Sequence, residues 1–176
     1  MLLSLLVIST LLMVFIPNLV AIIQGAPFVP TPMRAVEHVL KAAKIKKGDR
    51  VYDIGCGDGR FVYFANKLYQ ADSVGLELDP SIWCLAQIRK FLWKSKAKIV
   101  LGDFRNFNLS NANQIVCYMM PNTLAKFRVK FNKELKKGTR VVSYAFHIEG
   151  WTPVKKIPRN KKLNISPIWI YEVGKS

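Results

Sequence analysis

The ten residues VYDIGCGDGR, Val51 to Arg60, decide how the rest of the chain is read. Val51 to Ile54 has the composition of a buried strand, and Gly55, Gly57 and Gly59 follow at once. Next comes a helix-period pattern with Phe61, Phe64, Ala65 and Leu68 on one side. Glycines between a strand and a helix let the backbone pass close to a ligand where any Cβ would collide. A nucleotide-containing ligand is therefore implied.

The departures from a dinucleotide turn say which kind. Such a turn reads G-x-G-x-x-G, whereas here the spacing is G-x-G-x-G and Arg60 holds the sixth position. Asp53 and Asp58 would meet a pyrophosphate with like charge, but they suit a cation. S-adenosylmethionine carries a sulfonium and an amino group and no phosphate. Glu77 ends a second strand, 22 positions after Gly55, where a carboxylate accepts both ribose hydroxyls. Asp103 follows a third strand, placed to take an adenine amino group with Phe104 packed beside it. Asp53, Asp58, Glu77, Asp79 and Asp103 are five of only eleven acids, all gathered at strand ends, where open α/β sheets bind ligands.

Working outward, helix and strand patterns alternate. Thr31 and Pro32 open a helix with Val36, Val39, Leu40 and Ala43 on its apolar face, closing at Gly48. Strands are expected over Arg50–Ile54, Ser73–Leu78, Ala97–Leu101, Gln114–Tyr118 and Thr139–Phe146, with further strands over Thr152–Ile157 and Pro167–Val173. Pro80 begins a helix carrying Ile82, Leu85, Arg89 and Leu92, and Asn122 one carrying Leu124, Phe127, Phe131 and Leu135. The pattern predicts an α/β fold.

Charge divides the chain sharply. Twenty-seven Lys and Arg against eleven acids give +16, yet residues 1–33 hold no charged side chain. Leu2 to Ile23 is long enough for a membrane-spanning helix, which predicts an anchor over residues 1–24, a linker and lid over 25–33 and a domain over 34–176. A cleaved signal peptide is the rival reading, opposed by the missing basic residue before the run and by its length. Pro17 and Asn18 also allow a kinked helix that enters one leaflet. The basic flank from Arg34 to Arg50 places the domain on the cytoplasmic side of a single-pass chain. Cys56, Cys84 and Cys117 lack C-x-x-C spacing and read as reduced thiols rather than zinc ligands or disulfides.

The segments PFVPTP (Pro27–Pro32), VYDIGCGDGR, VGLELDP (Val74–Pro80) and LGD (Leu101–Asp103) resemble class I S-adenosylmethionine-dependent methyltransferases. With Trp151-Thr152-Pro153 they are similar to the membrane-associated lysine methyltransferases that modify the ATP synthase c-subunit and the adenine nucleotide translocase, and to their prokaryotic relatives. The resemblance implies a Rossmann-like seven-stranded sheet with helices on both faces and the last strand antiparallel. It implies a cofactor set of Thr31, Asp53, Gly55, Cys56, Gly57, Gly59, Glu77, Leu78, Asp103 and Phe104, with Phe28 to Thr31 as a lid. The family's Asp before the fourth strand is replaced by Asn111 or Asn113, and Tyr118 to Asn122 stands where other methyltransferases carry N/D-P-P-Y.

Methyl transfer to an amine needs a neutral, aligned nucleophile. Deprotonating a lysine at pH 7 costs about 4 to 5 kcal/mol, and an apolar pocket lowers that. Tyr118, Met119 and Pro121 are expected to line such a pocket, and His147 is the histidine nearest to it in the chain. No general base is assigned. The implied partners are a membrane, through the anchor and the basic cluster Lys155 to Lys162, and a membrane protein carrying a target lysine, met by a monomer. Nucleic acid on the basic surface and a non-catalytic cofactor-binding module are the alternatives.

Overall fold

The computed structural model describes residues 4–9 and 28–175. Residues 4–9 are helical and exposed. The rest of the expected anchor over 1–24, and the start of the linker, lie outside the described residues. Among the described residues no helix is long and apolar enough to cross a membrane.

From residue 28 onward the chain folds as α1 (Met33–Ala43), β1 (Arg50–Ile54), α2 (Arg60–Tyr69), β2 (Asp72–Glu77), α3 (Pro80–Leu92), β3 (Lys98–Leu101), a 3-10 turn (Phe104–Asn106), β4 (Gln114–Cys117), α4 (Pro121–Glu134), β5 (Arg140–Tyr144), β6 (Lys155–Ile157) and β7 (Ile168–Glu172). The seven strands form one sheet in the order β3-β2-β1-β4-β5-β7-β6. β1 to β5 pair in parallel, and β7 runs antiparallel to both β5 and β6. This is a Rossmann-like mixed sheet with helices on both faces and an antiparallel β7, as the resemblance implies. The order reverses between β1 and β4, so the loops leaving their carboxyl ends diverge and open a crevice.

Strand alternation supplies both cores. Val51, Val116, Val142 and Ile168 face α1 and α2, meeting Val36, Leu40, Phe61 and Ala65. Tyr52, Ile54, Ile115 and Val141 face the other way onto α4, meeting Leu124, Phe127 and Phe131.

Local details differ from the sequence pattern. The N-cap of α1 is Pro32, and no side chain caps it. Thr31 is buried instead, and its carbonyl accepts a hydrogen bond from Arg60. The helix ends at Ala43 because Lys44 turns left-handed, so Gly48 belongs to the following turn. Leu68 is exposed on α2. On α3 only Ala86 is buried, while Leu92, expected on its inner face, lies outside. Ala86 faces Ile99 and Val62 in the sheet-side cluster. Trp83 Nε1 and Gln87 Nε2 flank it and both donate to the Ile99 carbonyl, at 3.3 and 3.0 Å, which fixes the helix rotation.

Candidate functional site

The turn after β1 is held open by its own residues. Gly55, Gly57 and Gly59 all have positive φ. A Cβ on Gly57 would sit 2.7 Å from the Phe28 ring, so the segment before α1 lies directly against this turn. At Gly59 the crowding comes from Ile99 at 3.1 Å, which makes that glycine a packing position at the start of α2.

Glu77, at the end of β2, braces the turn from across the sheet. Its Oε2 accepts from Gly57 N at 2.8 Å, and its Oε1 from Leu78 N and Asp79 N at 2.9 and 3.0 Å. Burial raises this carboxyl's pKa, and the three backbone donors oppose the rise. Asp58 is 2% exposed and accepts from both Arg60 and Arg89. Arg60 also donates to Thr31, so one guanidinium ties the lid to the glycine turn. Asp79 caps α3, its Oδ1 accepting from Ser81 N at 2.7 Å.

Asp53 is different. It is 2% exposed, and its Oδ2 has no hydrogen-bond partner; Asp79 Oδ2 shares that lack, but the other oxygen of Asp79 is engaged in capping α3. Burial pushes its pKa well above the usual carboxylate range, and the charges of Glu77 and Asp58 push it further. A buried acceptor left without a donor is a strained arrangement that a cationic donor relieves.

These groups surround a cavity of about 230 Å³ at the carboxyl ends of the strands. Of the residues expected from sequence, Thr31, Asp53, Gly55, Cys56, Gly57, Glu77, Leu78, Phe104, Tyr118 and Met119 line it. Gly59, Asp103, Pro121 and His147 are not in the lining. Asp103 is occupied by Arg105, whose Nε lies 2.8 and 2.7 Å from its two oxygens and which holds its carboxyl below the ordinary range. His147 is exposed and packs against Trp169, ring centroids 5.6 Å apart. Pro121 is exposed in the first turn of α4, which offers Thr123 instead. Asn111 and Asn113 serve the scaffold: Asn111 accepts from Tyr52 Oη at 2.9 Å, and Asn113 accepts from Arg50 N at 2.8 Å.

Sequence reasoning missed Phe146, Thr123 and Ile82 as lining residues. Phe146 follows β5, and its ring lies 15° from parallel with Tyr118, centroids 6.3 Å apart. Tyr144 meets Tyr118 edge-on at 5.1 Å. Only the adjacency of β4 and β5 brings these rings together, which no local motif announces.

Residues 53–155 match the ANTKMT methyltransferase domain. The chain belongs to this family. This methyltransferase is 37% identical over 156 residues to a protein-lysine N-methyltransferase of Saccharolobus islandicus (strain REY15A), covering 86% of this chain and 96% of that one. It is 31% identical to the Rattus norvegicus lysine N-methyltransferase of the ATP synthase c-subunit, over 84% of this chain and 67% of the rat protein. A solved RNA methyltransferase from Salinibacter ruber, in complex with S-adenosyl-L-homocysteine, superimposes with a TM-score of 0.77 at 27% identity, covering 84% of this chain and 95% of that chain. The methyltransferase uses S-adenosylmethionine. Its turn fits that cofactor: an unpartnered buried carboxylate suits a cation, and no phosphate is demanded of a site lined by Asp53, Asp58, Glu77 and Asp79.

Proposed function

We propose that this methyltransferase is a protein-lysine N-methyltransferase acting on a membrane protein. The observation that carries the reading is a cavity whose two ends differ in chemistry. Carboxylates crowd the β1–β2 end, and Tyr118, Met119, Met120 and Phe146 line the β4–β5 end. Similarity to the lysine methyltransferases of Saccharolobus islandicus and rat supports it.

S-adenosylmethionine supplies an electrophilic methyl group to this site when bound. Asp53 would hold its amino group, Glu77 its ribose, and the Gly55–Gly57 backbone its methionine moiety, with Phe28 to Thr31 closing over them. Asp103 remains a candidate for the adenine end only if Arg105 releases it, whereas Phe104 already lines the cavity. The chain's own contribution at the other end is desolvation and alignment. Tyr118 and Phe146 present ring faces and a phenol to an incoming lysine side chain, and Met119 and Met120 exclude water. An ammonium entering this apolar end loses hydration, so its neutral, nucleophilic form is favoured. Among the described residues the lining holds neither His nor Lys; Tyr118 is the titratable group at its apolar end, and burial raises that phenol's pKa. The ring pair also has the character of a site for methylated ammonium, whose remaining charge aromatic faces attract.

The uncharged run over 1–24 is read as a single-pass anchor, and the basic flank as keeping the domain on the cytoplasmic side. The RNA methyltransferase likeness and the +16 charge favour RNA as the second reading. Incubation with methyl-labelled cofactor and membranes separates them. Label in a protease-sensitive band supports the proposal, and label in nuclease-sensitive material overturns it.

A further inference from the structure

The outer face of α3 is apolar, although nothing described in the fold covers it. At 100° per residue, Cys84, Ile88, Phe91 and Leu92 fall within one stripe. All four are exposed, with Phe91 at 81%, Leu92 at 67% and Ile88 at 58%. The opposite side is the one fixed to β3 by Trp83, Ala86 and Gln87, so the stripe cannot rotate inward without breaking both bonds to Ile99. Single exposed apolar residues are ordinary, but a continuous helical stripe is not.

The surrounding charge indicates what covers it. From Pro80 to Gly102 the chain carries Arg89, Lys90, Lys94, Lys96 and Lys98 and no acid. Arg89 is turned to Asp58, Lys90 falls on the helix side of Trp83 and Gln87, and Lys98 alternates with Ile99 to the other face of the sheet, which leaves Lys94 and Lys96, both exposed, next to the stripe. Among the described residues no carboxylate pairs with any of the four lysines. An apolar helix face rimmed by cations matches the interface of an anionic bilayer, where the rings and aliphatic chains enter the acyl boundary and the ammonium groups meet phosphates. A second copy is a poorer match, because a two-fold contact would set each basic rim against itself.

We propose that the outer face of α3 docks on anionic lipid, seating Ile88, Phe91 and Leu92 in the bilayer interface with Lys94 and Lys96, just past the end of the helix, at the headgroups. The contact is distinct from any anchor at residues 1–24 and independent of which substrate is methylated. Pro80 and Ile82 of the same helix line the cavity, so a docked α3 holds the cavity rim about 17 Å along the helix from Phe91. Two attachments on one chain also make the second intramolecular, and so sensitive to few residues.

Cys84 is the exposed thiol, and Cys56 and Cys117 are buried, so the full chain accepts one environment-sensitive maleimide dye on α3 without substitution. On vesicles of phosphatidylcholine with phosphatidylglycerol, the dye emission is expected to shift to the blue, and high salt to reverse the shift. Ile88→Ser/Phe91→Ser, at solvent-exposed positions, should keep the thermal midpoint and, at saturating lipid, shrink the blue shift several-fold by lowering the docked fraction. The proposal is overturned if the chain sediments with anionic vesicles while the dye stays unshifted, which would leave the anchor alone as the attachment. It also fails if phosphatidylcholine alone gives an equal shift, or if the shift appears without lipid as protein concentration rises, the signature of a second copy.

Discussion

Replacing Asp53 by Asn should move stability and cofactor affinity in opposite directions. In the cofactor-free protein the carboxylate is buried, its Oδ2 lacks a donor, and Glu77 and Asp58 repel it. An unsatisfied buried polar group costs about 1 to 3 kcal/mol, and more if charged. Asp53→Asn keeps a polar atom at that position but removes the charge that Glu77 and Asp58 repel, and a gain of about 1 kcal/mol corresponds to a rise in melting temperature of roughly 2 to 4 °C for a chain this long. The same change removes the group proposed above to bind the cofactor's ammonium. Hydrogen bonds to charged groups are worth about 1.5 to 3 kcal/mol, so S-adenosylmethionine should bind roughly 10 to 150 times more weakly. Differential scanning fluorimetry and isothermal titration calorimetry measure the two quantities on one sample. A lower melting temperature together with weaker binding would make Asp53 a scaffold residue, and unchanged affinity would remove it from the cofactor site. Either result defeats the role assigned to this carboxylate.

The sign of the pH dependence follows from the same residue. A carboxyl whose folded pKa is raised binds its proton more tightly folded than unfolded, so stability is present at low pH and declines as pH rises through the folded value. The wild-type melting temperature should therefore fall relative to Asp53→Asn as pH rises from about 4, the unfolded value. Gly57→Ala places a methyl 2.7 Å from Phe28 at φ +57°. It should weaken cofactor binding about tenfold, and Phe28→Ala should restore part of the loss by removing the clash, read by calorimetry. Phe146→Ala should lower kcat/KM for a lysine peptide while leaving cofactor affinity intact, since its ring faces Tyr118 at the far end of the cavity. With neither His nor Lys in the described lining, log kcat/KM should climb with pH toward the lysine pKa, and a bell with a limb near pH 6.5 would reveal a histidine base.

The fold is legible in the sequence where pattern and geometry act locally. Gly55 to Gly59 sets a turn that only positive φ permits, and Glu77 braces it through backbone donors one strand away. Spacing alone reveals the turn and the position of Glu77, but not that the Gly57, Leu78 and Asp79 N–H groups donate to its oxygens. The place of Asp103 after β3 suggests a free carboxylate, but Arg105, two residues on, folds back onto it. Nearness to β5 in the chain suggests His147 for the pocket, yet the turn at Ala145 (φ +69°) carries the chain so that Phe146 lines the cavity and His147 meets Trp169. On α3, periodicity cannot distinguish inside from outside when Arg89 has a buried carboxylate to reach and Ala86 is the residue small enough to sit against Ile99. Tertiary pairing decides such positions, and a helical period records only that two faces differ.

Whether the apolar end of the cavity accepts a lysine of a membrane protein is open to direct measurement. The enzyme and labelled S-adenosylmethionine are incubated with salt-washed membranes, and the label is located by protease digestion and mass spectrometry. Methyl groups are expected on the ε-nitrogen of a lysine in an integral membrane protein, with labelling reduced in both Asp53→Asn and Phe146→Ala. Label found in RNA, or on a nitrogen other than that of lysine, would contradict the proposed function.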